Sequence, residues 1–565
     1  MTVRHDPATS GPEAPAPSWM AGWRGPLLAA LLAALAGLPG LISMPPLDRD
    51  ESRFVQATAQ MLEQNEFVVI RFQDQPRFKK PIGIHWLQAA SVSLVSSPEA
   101  RDIWAYRLPS LIGAIMAAAA CAWGASVFFG TQTGLMAGAI LGASFLLSTE
   151  GFIAKTDAVL CGTITLAMAC LARIYAASRG GPAAGPWVRF GFWAGVSVST
   201  LVKGPIGPMV VLLTALSLWV WDRKAGWLKS LSWTWGLILF VAVVGPWAWA
   251  VTVATDGAFW KAAIVGDLAP KLAGGQESHG AWPGYHSLVA LVQMFPSTLL
   301  LPAGLALGWS RRHEPGVRFA LCWLIPTWLV FEITPTKLSH YALPAYGALA
   351  WLMAAALDQP IGKLSRRIGA ALQALVGLLL AAGTLYLMKL YGNAGDLAAA
   401  LLTATLFLAA GLYGGYVFLR GNSTLALVIA LPLGLLGHGA LVGLFAPGLD
   451  PLLISKRTEA VLAQASLLPS QGIVPGPIAV AGYAEPSLVF GLGTTTDLGD
   501  AADAAHALAD HRAAVVEDRE QPAFQAAVKS LKLKLHPIGV VQGLNYSNGD
   551  ETRLTLYAPA PEALP

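Results

Sequence analysis

Long apolar runs separated by short polar stretches dominate the first 450 positions of the chain. A membrane-spanning helix needs roughly 20 mostly apolar residues, and thirteen runs reach or approach that length. They centre on residues 25–43, 108–129, 133–149, 158–172, 190–201, 205–221, 231–253, 287–309, 319–331, 341–357, 368–388, 397–419 and 424–446. The pattern predicts a polytopic α-helical membrane protein with about thirteen transmembrane helices.

The segment 81–97 and the short basic loops decide the direction of these spans. Residues 81–97 have no formal charge, but a histidine, a glutamine and several serines interrupt them, so we expect a re-entrant or interfacial segment. With a cytoplasmic N-terminus, thirteen spans place nearly every short basic loop inside, as is usual in membrane proteins. These loops carry Arg179, Arg189, Arg223, Lys224, Lys229, Arg311, Arg312, Arg318, Lys363, Arg366, Arg367 and Arg420. A fourteenth span at 81–97 would reverse all of them.

The composition changes after residue 447, where the chain becomes mostly polar. Short β-type runs at 478–483, 513–518, 537–544 and 552–558 enclose two helical stretches, at about 500–511 and 521–531. Strands that alternate with helices predict a small α/β domain, on the outer side because the number of spans is odd. The expected organisation is a cytoplasmic tail (1–24), a transmembrane domain (25–447) with long outer loops at 44–107 and 254–286, and an outer domain (448–565).

Composition supports the membrane assignment and excludes other classes. Hydrophobic residues make up 55% of the 565 positions and charged residues only 12%, about half of the roughly 25% that soluble proteins carry. The net charge is +4 without a basic stripe, so a nucleic-acid partner is not expected. The four cysteines lie inside apolar runs, which predicts buried thiols and neither disulfides nor a CxxC metal site.

The remaining ionisable residues collect in loops predicted to lie outside. The motifs that carry them are DRDESRF (48–54), RFKKPIGIHW (77–86), KTDAV (155–159), LVKGPIG (201–207), GGQESHGAWPGYH (274–286) and TPTKLSHY (334–341). Ionisable groups at bilayer depth are costly and by default mark a functional site. Five separate loops would therefore bring acids, lysines and histidines to one face of the membrane.

The segment DRDESRF predicts the start of a helix. Asp48 fits an N-cap and Glu51 would complete a capping box, which leaves the carboxylate of Asp50 able to face a cavity. An apolar stripe spaced i, i+3, i+7 and i+8 follows, formed by Phe54, Ala57, Met61 and Leu62. Such a stripe predicts a helix that lies in the outer headgroup plane.

The basic residues of the outer motifs allow more than one interpretation. The adjacent Lys79 and Lys80 fit either snorkelling membrane anchors or ligands. Lys203 and Lys337 each follow an apolar helix into a short outer loop, and lysine is a common phosphate partner. His279, close to a single glutamate, fits a metal ligand, an orienting donor or a surface residue.

Three functions are compatible with these residues: an enzyme acting on a lipid phosphate at the outer leaflet, a secondary transporter of a lipid-linked or anionic solute, and a channel or structural protein. Transporters place a charged site near the midplane between inverted repeats. Here the ionisable residues collect at one face and no internal repeat is visible. The enzyme is favoured, with the transporter as the alternative.

The outer motifs, taken in order, resemble a known family. DRDESRFVQATAQML followed by RFKKPIGIHW is similar to the first outer loop of the bacterial aminoarabinose transferases of lipid A. These belong to the GT-C glycosyltransferases, together with the protein O-mannosyltransferases. TDAVL (156–160), LVKGPIG (201–207), SHGAWPGY (278–285), KLSHYALP (337–344) and YAEPSLVF (483–490) extend the resemblance over nearly the whole chain.

The resemblance implies a multi-pass enzyme of the bacterial inner membrane. It would move a sugar from a polyprenyl-phosphate carrier to lipid A, a polysaccharide or another acceptor on the periplasmic face, with inversion. Asp50 corresponds to the essential carboxylate, a general base or an orienting group for the acceptor. Arg53, Lys80 and Lys203 correspond to positions that bind the carrier phosphate. Further substrate-cavity positions correspond to Glu51, Asp157, His279, Lys337 and Tyr341.

The sequence departs from the family pattern at two positions of the first outer loop. A glutamate that pairs with the histidine of the long loop, as in a metal site, is replaced by Lys79, so a divalent metal at His279 is disfavoured and no other cofactor is implied. The proline before the first acid is replaced by Arg49. The loop is therefore more basic than usual, and neither aminoarabinose nor lipid A is carried over as the substrate.

Overall fold

The computed structural model of the protein describes residues 22–274, 280–469 and 476–559. Helices occupy every predicted apolar run, and their bounds are Arg24–Ser43, Ile103–Gly142, Phe145–Glu150, Thr156–Ala177, Pro186–Lys203, Ile206–Asp222, Trp233–Ala254, Tyr285–Gln293, Leu301–Ser310, Pro315–Ile333, Tyr346–Ala355, Lys363–Tyr391, Leu397–Leu408, Gly414–Leu419 and Ser423–Ala440. Short 3₁₀ or π segments extend several of them, namely Thr298–Leu300, Leu343–Ala345, Ala356–Asp358, Ala394–Asp396, Ala409–Tyr413 and Leu441–Phe445. The prediction of a polytopic helical protein is confirmed.

Within the described ranges, eight helices are long and apolar enough to cross a membrane, and three apolar helices are shorter. The exact number of spans stays a prediction. Two predicted runs share the helical segment Ile103–Gly142, which is broken at Gly130 with φ 82°. A Cβ there would meet no atom within 4 Å, so the left-handed backbone and not packing favours glycine.

The helices pack around a core in which small residues let backbones approach closely. At Gly113 a Cβ would lie 2.6 Å from the backbone of Val159, so Ile103–Gly142 and Thr156–Ala177 touch where only glycine fits. The predicted buried thiols are present at Cys121, Cys161, Cys170 and Cys322, all unpaired and buried.

The two long loops contain helices of their own. In the first, helix Asp50–Gln64 leads into the hairpin of Arg71–Phe72 with Gln75–Pro76, and then into helix Gly83–Val95. In the second, Ala258–Lys261, the π-helical Ala262–Leu268 and Ala269–Ala273 follow one another. Segment 81–97 is thus largely a helix of 13 residues, about 20 Å long, too short to span the bilayer unaided.

Two expectations for the first loop are wrong. Its helix begins at Asp50, after Arg49 with φ 62°, and no side chain caps it, because Asp48 and Glu51 are bound to other partners. The apolar stripe faces protein and not lipid: Phe54, Ala57 and Met61 are buried and Leu62 is partly buried against neighbouring elements. The position of this helix relative to the headgroup plane stays a prediction.

The C-terminal region forms the predicted small sheet domain. Its five strands lie in the order Asp497–Gly499, Ala479–Ala481, Ala514–Glu517, Asp550–Ala558, His536–Asn545. The first three are parallel and the last two pair antiparallel. Its helices are Ile454–Gln464, Pro486–Leu492, Ala501–Ala509 and Gln521–Ser530. Four strands match predicted runs, and Asp497–Gly499 was missed because three residues give no periodicity.

This domain is joined to the first outer loop by a seam of hydrogen bonds. The Ser487 hydroxyl donates to the Asp48 carboxylate, and the Asp48 N–H donates to the Tyr546 hydroxyl at 2.7 Å. Gln56 Nε2 donates to Thr494 Oγ1 at 2.7 Å. Burial raises the pKa of Asp48 to about 6. The residue two positions before Asp50 is therefore held by the C-terminal domain.

Candidate active site

A polar cavity of about 300 Å³ lies between the outer motifs. Its lining comes from the first outer loop, from the starts or ends of membrane helices and from the second outer loop: Asp48, Arg49, Asp50, Arg53, Phe54, Arg77, Lys79, Lys80, Lys155, Thr156, Asp157, Lys203, Asp267, Lys271, Thr336, Leu338, His340 and Tyr341. Basic side chains outnumber the acidic ones two to one, eight against four. Such a cavity suits an anionic group.

Asp50 lies at the rim of this cavity, as the first residue of helix Asp50–Gln64. Its carboxylate is exposed, and among the described residues it makes no hydrogen bond or ion pair. Lys155 is close enough for the two charges to interact. Arg53, three residues later, lies on the same side of the helix and lines the cavity too. Asp50 is therefore positioned by backbone and charge, with its oxygens accessible.

The inner wall is a network of buried charges at the start of helix Thr156–Ala177. The Asp157 carboxylate pairs with Lys203 and lies 3.6 Å from His340 Nε2. Lys155 Nζ lies 3.1 Å from Glu150 and 3.3 Å from His340 Nδ1. Buried charges persist only when partners compensate them, and here each acid has a cation beside it. The network fixes Lys203, whose Nζ also lies 5.3 Å from the ring centre of Tyr341.

Opposite charges from the two long loops meet at the other wall. Asp267 Oδ2 lies 3.3 Å from Lys80 Nζ, and Asp267 Oδ1 lies 2.6 Å from Lys271 Nζ. Burial, and then the nearby Lys271, lower the pKa of Lys80 to about 8. The two lysines outweigh the burial of Asp267 and lower the pKa of its carboxyl. One carboxylate therefore compensates two crowded ammonium groups.

An apolar groove of about 370 Å³ adjoins the polar cavity. Pro205, Ile206 and Met209 line it from one side, and the second loop contributes further apolar side chains, namely Phe259, Trp260, Ala263, Ile264 and Leu268. The groove and the polar cavity share seven residues, which are Lys79, Lys80, Asp157, Lys203, Asp267, Lys271 and Tyr341. The apolar space therefore ends at a group of lysines.

A third, open cavity of about 710 Å³ lies between the start of helix Asp50–Gln64 and the hairpin, lined by Arg49 and Arg53 on either side of Asp50 in the sequence. It shares Arg49, Arg53, Arg77 and Lys79 with the polar cavity but only Lys79 with the apolar groove. A molecule that entered from this side would pass several cations before it reached Asp50.

The structure brings most of the predicted site residues together. Those that line the polar cavity are Asp50, Arg53, Lys80, Asp157, Lys203 and Tyr341. Lys337 does not line it, because its ammonium donates to the carbonyls of Glu332 at 2.8 Å and Thr334 at 2.7 Å, at the end of helix Pro315–Ile333. His279 lies outside the described residues.

Glu51 is the other residue that does not line the cavity. It is 1% exposed and forms a two-pronged ion pair with the fully buried Arg107, with contacts of 2.8 and 2.7 Å. Arg107 also donates to the carbonyls of Met44 and Pro45, and Glu51 accepts the Ala154 N–H at 2.7 Å. The pair ties together four segments of the chain and is structural.

Sequence reasoning missed several lining residues. Lys155 and His340 stand within the KTDAV and KLSHY motifs, so their position was available although neither was singled out. Asp267 and Lys271 carried a signal as an i, i+4 acid–base pair in the second outer loop. Arg107, which lines none of the three cavities but holds Glu51, carried one as the only charged residue of an apolar helix.

Comparison with known proteins identifies similar sequences among membrane glycosyltransferases. Residues 79–249 match the family model described as dolichyl-phosphate-mannose-protein mannosyltransferase. An undecaprenyl phosphate-alpha-4-amino-4-deoxy-L-arabinose arabinosyl transferase of Pectobacterium carotovorum is 27% identical over 310 residues, 54% of each chain. The chain thus spans about half the length of that relative. The enzyme of the same name from Enterobacter sp. (strain 638) is 26% identical over 80% of this chain and 84% of its own.

The solved structure of ArnT from Cupriavidus metallidurans bound to undecaprenyl phosphate aligns with a TM-score of 0.74. The alignment covers 95% of this chain and 98% of that one, at 18% identity. The chain has the fold of the aminoarabinose transferases. The resemblance read from the outer motifs is confirmed, as is the expected combination of this transferase fold with a small C-terminal sheet domain.

Lys79, at the position where the resemblance implied a metal-binding glutamate, does not fit a metal ligand. A lysine ammonium has no lone pair to donate, and Lys79 stands where the family has a glutamate. Among the described residues, no group of three or more His, Cys, Asp or Glu side chains could hold a metal ion. No chemical step is therefore assigned to a metal.

Proposed function

We propose that this protein is a membrane glycosyltransferase that takes a sugar from a polyprenyl-phosphate carrier and transfers it to a lipid or glycan acceptor. The observation that carries the proposal is the apolar groove that ends at Lys80 and Lys203, next to the accessible carboxylate of Asp50. The isoprene units next to the phosphate of a prenyl carrier fit the groove, and the phosphate fits the lysines. The names of the relatives support the same donor class.

In the proposed reaction, an acceptor oxygen attacks the anomeric carbon while the bond from that carbon to the carrier phosphate breaks. Asp50 orients the attacking oxygen or accepts its proton. Lys80, Lys203 and Arg53 stabilise the negative charge that develops on the departing phosphate. Attack on the side opposite the phosphate inverts the anomeric centre.

The open cavity at the start of helix Asp50–Gln64 is the proposed entrance for the acceptor. Its lining carries Arg49, Arg53, Arg77 and Lys79 but, of the acids, only Asp74. An anionic acceptor such as a phosphorylated lipid fits this charge. Since the helices make the chain a multi-pass membrane protein, we place it in the bacterial inner membrane with the N-terminus cytoplasmic, and the site and C-terminal domain on the periplasmic face.

Replacing Lys80 with glutamine should weaken binding of undecaprenyl phosphate by about tenfold or more, because a phosphate contact to a charged donor is lost. Binding is measured with the full-length protein in detergent micelles. Lys261→Gln is the matched control, since Lys261 lines none of the three cavities. A Lys80 variant that binds the carrier normally and loses only acceptor affinity would show that the assignment of Lys80 is wrong.

A chelator should leave the transfer rate unchanged, because Lys79 replaces the acid expected at the metal position. The rate is measured on purified protein before and after treatment with EDTA, and again after a divalent metal is added back. A loss of activity that metal restores would contradict this expectation.

Comparison by mass of lipid extracts from cells with and without the gene identifies the sugar and the acceptor.

A further inference from the structure

The carboxylate of Asp267 lies between two lysines where the apolar groove meets the polar cavity. Each of its oxygens contacts a different lysine: Oδ2 contacts Lys80 of the first outer loop at 3.3 Å, and Oδ1 contacts Lys271 at 2.6 Å. A phosphate can bind in the same way, with two of its oxygens each contacting one of the two ammonium groups. The geometry is that of a bound anion supplied by the chain itself.

Asp267, Lys80 and Lys271 lie where the phosphate of a carrier lipid is expected. They belong to the residues that the apolar groove and the polar cavity share. A lipid whose chain lies in the groove has its phosphate at that junction. Among the apolar side chains that line the groove from the second loop, Ile264 belongs to the same π-helical segment as Asp267, and Trp260 belongs to the short helix directly before it.

The charges at the junction require an anion. Besides Lys80 and Lys271, Lys203 also lies close enough to act electrostatically on Lys80. The Asp157 carboxylate is already paired with Lys203, so Asp267 is the acid that compensates the other two lysines. A phosphate that arrived at Lys80 would make Asp267 a redundant and repelling charge.

The backbone around Asp267 is of an unusual type. Residues Ala262–Leu268 form a π-helical segment between two short α-helices. Such segments are rare and are found frequently at functional sites. Asp267 lies in this segment, one of three π-helical segments in the described parts of the chain.

We propose that Asp267 is a built-in competitor of the carrier phosphate and that Lys271 is a further cation of the phosphate subsite. This inference rests on the proposed function. The carrier displaces the carboxylate from Lys80 and Lys271 when it binds, and the carboxylate returns when the spent carrier leaves. Asp267 thereby limits the affinity for polyprenyl phosphate and promotes its release.

The test measures binding of undecaprenyl phosphate, with undecaprenol as the uncharged probe, to the full-length protein in micelles. Asp267→Asn should lower the Kd for the phosphate by about fivefold or more, the usual lower limit for coupled sites, and leave the Kd for undecaprenol unchanged. Lys271→Gln should raise the Kd for the phosphate. Asp256→Asn and Lys261→Gln are the matched controls in the same loop, since neither residue lines the apolar groove or the polar cavity.

Kinetic measurements distinguish an Asp267 that competes with the carrier phosphate from an Asp267 that helps to bind the carrier. With Asp267→Asn, both the KM for the donor and kcat should fall, because tighter binding of the spent carrier slows its release. Unchanged or weaker phosphate binding in that variant, while the wild type prefers the phosphate to undecaprenol, would overturn this inference alone. A wild type without that preference would overturn the proposed function as well.

Discussion

Replacing Asp50 with asparagine is expected to lower the rate of sugar transfer by about two to four orders of magnitude, the range attributed to a general acid or base. Asparagine keeps the size of the side chain but can neither accept the acceptor's proton nor bear a negative charge. Binding of undecaprenyl phosphate should persist, because Lys80 and Lys203 are intact. The rate is measured with purified protein by the mass of the glycosylated acceptor.

Asp74→Asn provides the comparison for Asp50. Asp74 is exposed on the hairpin and lines only the open cavity, so the same change of charge there should leave the rate nearly unaltered. Near-normal transfer by the Asp50 variant would remove Asp50 from its proposed role. An equal loss in both variants would instead indicate a general electrostatic effect on acceptor entry.

The second large effect concerns stability. Arg107→Met should lower the free energy of unfolding by about 3–5 kcal/mol, since it leaves the Glu51 carboxylate buried without its cation. Thermal unfolding in detergent measures this loss. Arg420→Met, which removes an exposed arginine from a short loop, should change stability little.

Glu51→Gln distinguishes the structural assignment of Glu51 from the substrate-cavity role that the family resemblance suggested. If Glu51 serves only the ion pair with Arg107, this variant loses stability, while kcat for the remaining folded protein stays near the wild-type value. A lower kcat with unchanged stability would indicate that Glu51 takes part in the reaction.

The apolar runs predicted the helices because helix length and hydrophobicity are properties of the chain itself. The order of the outer motifs also predicted that residues as distant as Asp50, Lys80 and Lys203 share one site. Topology favours this, because the loops at one face of a helical bundle lie near one another.

The direction of individual side chains could not be predicted in the same way. Glu51 and Asp50 are neighbours, yet one faces the buried Arg107 and the other the cavity. Which of them turns inward depends on where the helix begins, and Arg49 with φ 62° determines that start. Lys337 fitted a phosphate ligand by sequence, but the carbonyls at the end of a neighbouring helix bind its ammonium first.

The hydrogen bonds between the first outer loop and the C-terminal domain make it difficult to exchange that domain between related proteins. Gln56, Glu63 and Arg101 all contact Thr494, and Ser487 holds Asp48. A chimera that received the C-terminal domain of a relative would have to match these partners before its transmembrane half could present Asp50 correctly. The two parts should therefore exchange between relatives only as a pair, and substrate range should evolve by change at the cavities rather than by exchange of domains.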